Sequence, residues 1–167
     1  FLSKNKTQPG VITTPSGRRV LDLGQNVTGH VRLTIPSGSE GNTITLRHAE
    51  VMEHGELGTR PLRHADCTDV VVLAGTGTPQ DPEVFTPTLT QHGFRYVEVE
   101  GFDGDDDALA AAVTARVVSA AMERTGWFSS SEPLVDRLVE NTRWSTVDNF
   151  ITVPTDCPQR DERLGDR

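Results

Sequence analysis

Short apolar runs alternate with clusters of Gly, Pro, Ser and Asp over most of the first two thirds of the chain. Within the runs, apolar and polar positions often alternate strictly, so that Val31, Leu33 and Ile35 would share one face while the residues between them face away. A period of two with one polar face is typical of a half-buried antiparallel sheet. The pattern predicts about seven strands, at residues 19–23, 30–35, 43–49, 68–74, 84–89, 94–100 and 112–119.

The predicted strands are separated by turn-forming residues, and two antiparallel sheets packed face to face would bury their apolar faces without a helix. We therefore predict a mainly β chain whose centre is an antiparallel β-sandwich over residues 19–122. Residues 1–18 are assigned to a leader segment or linker. The acidic stretch 105–107 is interpreted as a solvated turn, because three consecutive aspartates cannot supply the six to eight oxygen ligands that calcium prefers.

The periodicity becomes helical after Gly126. Serines before Pro133 can cap a helix, and proline is tolerated in the first turn, so a helix of about four to five turns should begin near Ser131. Its apolar side chains, which would pack on the sandwich or on a second copy of residues 131–150, are Leu134, Val135, Leu138, Val139, Trp144, Val147, Phe150 and Ile151. Trp127 and Phe128 are predicted to form the core of the junction. Residues 123–167 thus begin a helical domain.

Charge and composition exclude several classes of partner. The chain has 16 Lys and Arg against 24 Asp and Glu, a net charge of -8, which disfavours nucleic acid and anionic membrane surfaces. No apolar run approaches the roughly 20 residues that span a bilayer, and the first ten residues lack the apolar core of a signal peptide. Neither observation assigns a cellular location. Cys67 and Cys157 have no metal-binding or redox spacing; their number allows a single disulfide, and two buried free thiols are the favoured interpretation.

The densest chemistry lies in a loop directly after the predicted helix, where residues 156–165 contain three carboxylates and two guanidiniums. Such a loop can simply be exposed and carry weak surface ion pairs. Pro154 and Pro158 favour a stiffer segment. The residue types alone leave both interpretations open.

Four motifs, taken in order, resemble the bacterial α-L-rhamnosidases: DLGQNVTG at 22–29, LRHAEV at 46–51, HGFRYV at 92–97 and PTDCPQRDERLG at 154–165. The resemblance implies a concanavalin-like or jelly-roll sandwich ahead of an (α/α)6 barrel, and inverting hydrolysis of terminal α-L-rhamnose from glycosides or polysaccharides. It also implies that Glu162 is the general acid, that Asp156 and Arg160 hold sugar hydroxyls, and that no metal or organic cofactor is needed. The general base would come from later in the barrel, beyond Arg167.

Physical chemistry sets conditions on these implied roles. A general acid must remain protonated near neutral pH, yet Arg160 and Arg163 beside Glu162 would lower its pKa unless they point away. An inverting enzyme also places its two carboxyl groups about 6.5–9.5 Å apart to admit a water. The family usually continues after the Leu-Gly pair with a tryptophan, which is absent here, and Asp166 is given no role.

Two alternatives come from other classes of protein: a carbohydrate-binding sandwich without catalysis, and a sandwich that only supports a barrel. Among the other polar residues, a cross-strand ion pair is expected for His48 and Glu50, and a hydrogen bond to backbone for His92. Gln25 and Asn26 should form a turn or bulge. The loop that carries Glu162 is expected to be mobile without its barrel.

Overall fold

The computed structural model describes residues 9–160. Within that range the chain forms nine strands, two α-helices and one 3-10 turn, at Arg60–Leu62. The strands are β1 Gly10–Thr13, β2 Arg19–Ile35, β3 Thr43–Ala49, β4 Val51–Glu53, β5 Glu56–Gly58, β6 Thr68–Val72, β7 Glu83–Phe85, β8 His92–Glu100 and β9 Val113–Val117. The helices are α1 Asp106–Ala112 and α2 Pro133–Asn149.

Seven of these strands form one antiparallel sheet built around the long strand β2. Five of them lie in the order β1-β2-β8-β3-β6, and β7 and β9 both pair with the C-terminal half of β2. The register between β2 and β8 shifts between Asp22 and Val27, which is where Gln25 and Asn26 were expected to form a bulge. A bulge bends a strand, and a bent strand can pass from one layer of a sandwich to the other.

One apolar core is shared by both halves of the sheet. Leu21 from the first half of β2 and Leu33 from the second half belong to the same buried cluster, together with Phe94 of β8 and Leu109 of α1. Each of these four side chains is fully buried. The mainly β antiparallel architecture predicted from the apolar pattern is therefore confirmed.

The structure corrects several local predictions. The two strands predicted at 19–23 and 30–35 are one continuous strand, and residues 10–13, which the pattern assigned to a leader or linker, form a strand paired with β2. The short β4–β5 hairpin was not predicted. In place of a solvated turn, Asp105 caps α1, because its carboxylate accepts a hydrogen bond from the Ala108 N–H at 2.8 Å.

Helix α2 lies where the sequence pattern predicted it, but it begins at Pro133 with Glu132 as its N-cap. Its C-terminal half contacts the sandwich: Trp144 packs against the core, and Asp148 is buried. Its N-terminal half is more open, with Leu134 and Leu138 exposed. Within residues 9–160 no helix is both long enough and apolar enough to cross a membrane.

Candidate functional site

The loop that follows α2 holds two of the three predicted site residues within the described range. Residue 150 bridges to residue 154, the Thr155 N–H donates to the Asn149 carbonyl at 2.7 Å, and the Arg160 N–H donates to the Cys157 carbonyl at 3.0 Å. These bonds hold the backbone of the loop in a turn, in which Arg160 is half-buried and Asp156 is exposed. Glu162 lies outside the described residues.

The loop rests on the sandwich at Gln159. The Cys67 thiol donates a hydrogen bond to the Gln159 carbonyl at 3.0 Å. A Cβ atom built on Gly93 of β8 would lie 2.8 Å from the Gln159 nitrogen, so the two backbones are in close contact. Through residue 159 the loop is thus docked on the sheet, and the expectation that it is mobile without a barrel stays a prediction.

The four motifs singled out in the sequence are linked to one another by contacts in the fold. Asp22 accepts two hydrogen bonds from the Arg95 guanidinium, at 2.8 and 2.9 Å, which joins the first motif to the third. The Asn26 amide donates to the Glu50 carboxylate at 2.9 Å, which joins the first motif to the second. The contact between Gly93 and Gln159 joins the third motif to the fourth.

A buried polar cluster of His48, Asp69 and His92 lies beside the docking point. His92 Nε2 is 3.1 Å from an Asp69 carboxylate oxygen, and His48 Nδ1 is 2.9 Å from the Cys67 carbonyl. Carboxylate and carbonyl oxygens only accept hydrogen bonds, so both of these ring nitrogens carry protons. The His48 and His92 rings stack at 4.3 Å with an angle of 24° between their planes.

Burial governs the protonation of this cluster. It lowers the pKa of His48 to about 4, and the nearby His92 acts in the same direction, so His48 is neutral at pH 7. Burial alone would raise the pKa of Asp69, but the hydrogen bond and charge of His92 lower it below its ordinary value. Asp69 is therefore an ionised acceptor. Its second oxygen faces the unprotonated His48 Nε2 at 3.9 Å.

The same three residues also offer ligand atoms to a metal ion, since one such atom from each lies within 4.8 Å of the others. A histidine binds a metal with an in-plane lone pair, so the ion lies in the plane of each imidazole ring that binds it. Stacked rings only 24° from parallel have no common in-plane position at zinc-ligand distance. The arrangement described therefore fits a hydrogen-bonded network and does not fit a shared metal.

A small open cavity of about 200 Å³ lies between the docked loop and the sandwich. Its walls are residues 66–68 and 90–92 of the sandwich together with Pro158 and Gln159 of the loop. These walls are largely polar. The cavity is large enough for a few waters or one hydroxyl-bearing group.

Asp148 makes the second link between the helical segment and the sandwich. Its carboxylate accepts a hydrogen bond from the Thr28 N–H at 3.0 Å across a buried interface. Burial raises the pKa of Asp148 to about 6, and the nearby Glu50 carboxylate adds to that rise. A group that titrates near neutral pH therefore lies where α2 meets the first sandwich motif.

Three of the expectations about individual residues are wrong. Among the described residues neither His48 nor Glu50 forms a cross-strand ion pair, because the neutral His48 bonds the Cys67 carbonyl and Glu50 accepts from the Asn26 amide. His92 bonds a carboxylate instead of backbone. Trp127 and Phe128 do not form a core at the junction, because their exposed fractions are 77% and 52%.

Sequence reasoning missed the buried histidine cluster, because His48 and His92 lie on different strands, far apart in the sequence, and stack only in the folded chain. It also missed the docking role of Cys67. A weak signal was available: Gly93 interrupts an otherwise well-formed strand, and a strand glycine often marks close approach of another backbone.

Comparison with protein families divides the chain into two matched segments. Residues 12–119 match the bacterial alpha-L-rhamnosidase concanavalin-like domain. Residues 123–166 match the bacterial alpha-L-rhamnosidase 6 hairpin glycosidase domain. A concanavalin-like sandwich joined to the start of a helical glycosidase domain defines a class of carbohydrate-cleaving enzymes. The chain belongs to the bacterial α-L-rhamnosidase family.

Individual relatives agree with that assignment. An α-L-rhamnosidase of Streptomyces avermitilis is 46% identical over 156 residues, which are 92% of this chain and 14% of the relative. One of Alteromonas sp. is 38% identical over 146 residues, which are 87% of this chain and 15% of the relative. The chain thus spans about a seventh of the length of these two curated relatives.

Solved structures show the same fold. The native α-L-rhamnosidase of Aspergillus terreus superposes with a TM-score of 0.83 at 48% identity, covering 93% of this chain and 18% of the other. The Streptomyces avermitilis enzyme in complex with L-rhamnose superposes with a TM-score of 0.84 at 44% identity, covering 95% and 15%. The predicted order of sandwich, helix and barrel start is therefore confirmed.

Proposed function

We propose that this chain contributes the accessory sandwich and the acid-bearing loop of an enzyme that removes terminal α-L-rhamnose from glycosides or polysaccharides with inversion. The observation that supports it most directly is the position of the loop. Residues 154–160, which begin the fourth motif, are seated on the sandwich and lie inside the segment that matches a glycosidase domain. We also propose that the sandwich, which includes β1, ends at residue 122 and that the helical domain begins at residue 123.

Within this proposal, Glu162 is the general acid and Asp156 and Arg160 hold sugar hydroxyls. The exposed Asp156 residue is accessible to a ligand, and the hydrogen bond from the Arg160 N–H to the Cys157 carbonyl holds the main chain at Arg160. An acid with a raised pKa must be held in place and shielded from water. Docking of the loop supports the first of these conditions. A loop seated on the sheet provides a fixed backbone only a few residues from Glu162.

The proposed partner is a rhamnose-containing glycoside or polysaccharide. The net charge of -8 supports the exclusion of nucleic acid and of anionic membranes as partners. Self-association through residues 131–150 also stays a proposal. It is supported by the exposed Leu134 and Leu138, which two copies could cover mutually.

The test is the anomeric form of the first product. The parent enzyme would be mixed with an aryl α-L-rhamnoside and followed by proton NMR before mutarotation is complete. Inversion predicts that β-L-rhamnose forms first, because water attacks from the face opposite the leaving group. Release of α-L-rhamnose first would exclude the inverting mechanism, and no release of rhamnose by a folded parent would exclude the activity.

A further inference from the structure

We propose that Gly93 is a positioning residue for the catalytic loop, and that β8 together with Cys67 forms a floor that sets where the acid lies. This rests on the proposed function, and it extends that function to the sandwich. The floor is defined here as Gly93, Cys67 and the two histidines next to them, His48 and His92. The sandwich would then help to position the catalytic loop, in addition to supporting the barrel.

The first step is the closeness of the two backbones. A Cβ on Gly93 would meet three atoms of Gln159: the nitrogen at 2.8 Å, the Cβ at 3.1 Å and the Cα at 3.2 Å. Ordinary contact begins at 3.4 Å, so any other residue at position 93 would move the loop or the strand by several tenths of an ångström. Gly93 lies within the paired part of β8, so the loop is the part expected to yield.

The second step is that Cys67 is itself held firmly. Its carbonyl accepts two hydrogen bonds from His48, one from the backbone N–H and one from Nδ1, each 2.9 Å long. Cys67 has a φ of 46°, a left-handed conformation that a residue with a side chain adopts only when its surroundings enforce it. The thiol that results from this geometry donates to the Gln159 carbonyl.

The third step is the short distance along the chain from the floor to the chemistry. Gln159 immediately precedes Arg160 and lies three residues before Glu162. A displacement of the Gln159 backbone is therefore expected to displace the proposed acid as well, because the two residues are so close along the chain. Misplacing a reacting group by about 1 Å can cost about 100-fold in rate, so a shift of several tenths of an ångström should cost about tenfold.

The test compares two glycine-to-alanine variants of the parent enzyme. Gly93→Ala adds one methyl group against Gln159, whereas Gly10→Ala adds one to β1, where nothing lies within 4 Å. Hydrolysis of α-L-rhamnosides with poor and with activated leaving groups would be measured for both. Gly93→Ala should lower kcat about tenfold on poor leaving groups and less on activated ones, because a displaced acid matters most when protonation is needed. Gly10→Ala should match the unmodified enzyme.

Cys67 provides a second pair of variants, which decides the matter if Gly93→Ala does not fold. Cys67→Ala removes the donor to Gln159 and should reduce kcat with the same dependence on the leaving group, whereas Cys67→Ser keeps a donor and should recover most of the loss. A folded Gly93→Ala enzyme with the kcat of Gly10→Ala would overturn the proposal, and so would equal rates for Cys67→Ala and Cys67→Ser.

A measurement without substrate separates this proposal from the proposed function. Amide hydrogen exchange at Arg160, whose N–H is bonded to the Cys157 carbonyl, should be at least tenfold faster in Gly93→Ala than in Gly10→Ala. Faster exchange supports the floor even if the parent does not release rhamnose. Unchanged exchange in a folded variant contradicts the floor even if the parent is an active rhamnosidase.

Discussion

Replacing Asp148 with asparagine should stabilise the fold at neutral pH. Asp148 is 7% exposed, and burial raises its pKa from 3.8 to about 6. A shift of about two units corresponds to about 3 kcal/mol at about 1.4 kcal/mol per unit, which is the cost of keeping this carboxylate charged in the folded state. Asparagine retains an oxygen for the Thr28 N–H but adds an amide that needs partners, so the net gain should be about 2 kcal/mol.

The pH dependence of this gain follows from the direction of the shift. The pKa is higher in the folded state than in the unfolded state, so between about 6 and 3.8 the folded protein binds the proton more tightly. The unmodified protein therefore gains stability from Asp148 as the pH falls through that window, and it carries the full penalty above pH 6. The advantage of Asp148→Asn should be largest at pH 8, and near pH 3.8 the variant should be about 1 kcal/mol less stable than the unmodified protein, because the cost of the amide remains after the charge penalty has gone.

Guanidinium unfolding of both proteins at pH 8 and at pH 4 would measure the difference. Asp103→Asn is the matched control, since it removes one negative charge from an exposed position and should change the free energy of unfolding by no more than about 0.5 kcal/mol. If Asp148→Asn were less stable than the unmodified protein at pH 8, or if its advantage were the same at both pH values, the assignment of a buried charged carboxylate would be refuted.

The remaining predictions concern stability. Leu33→Ala should lower the free energy of unfolding, measured by chemical denaturation, by about 2–5 kcal/mol because Leu33 is fully buried in the shared core. Leu89→Ala, at a fully exposed position, should change it by less than about 0.5 kcal/mol. Similar effects of the two substitutions would contradict the assigned core. Asp105→Ala should cost about 1 kcal/mol by removing the cap of α1, whereas Asp103→Ala, two residues earlier, should be nearly neutral. An equal cost at both positions would show that the cap contributes nothing specific.

The sequence was sufficient for the architecture because the alternation of apolar residues records which face of each strand is buried. Val31, Leu33 and Ile35 were placed on one face, and all three belong to the core. The merging of two predicted strands into β2 was not predictable in this way, since polar residues at the bend interrupt the apolar pattern, although β2 pairs with β8 on both sides of the bend. Asp105 was taken for a turn residue because caps and turns favour the same side chains.

The candidate site was predictable only where its residues are close in sequence. Asp156 and Arg160 stand four residues apart in one motif, and a single loop carries both. The floor beneath that loop combines Cys67 with Gly93, which only the pairing of strands brings near residue 159. Long-range pairing of this kind leaves almost no local pattern, apart from the glycine within β8.

The role of Glu162 is tested most directly by comparing the loss of kcat that Glu162→Gln causes in the parent enzyme on substrates with poor and with good leaving groups. General acid catalysis contributes about 100- to 10,000-fold, and a good leaving group needs little of it. The account predicts a loss of kcat in that range on alkyl or sugar α-L-rhamnosides and a much smaller loss on activated aryl rhamnosides, whereas Asp156→Ala should raise KM and lower kcat on both substrate types. Equal losses for Glu162→Gln on both substrate types would contradict its assignment as the acid.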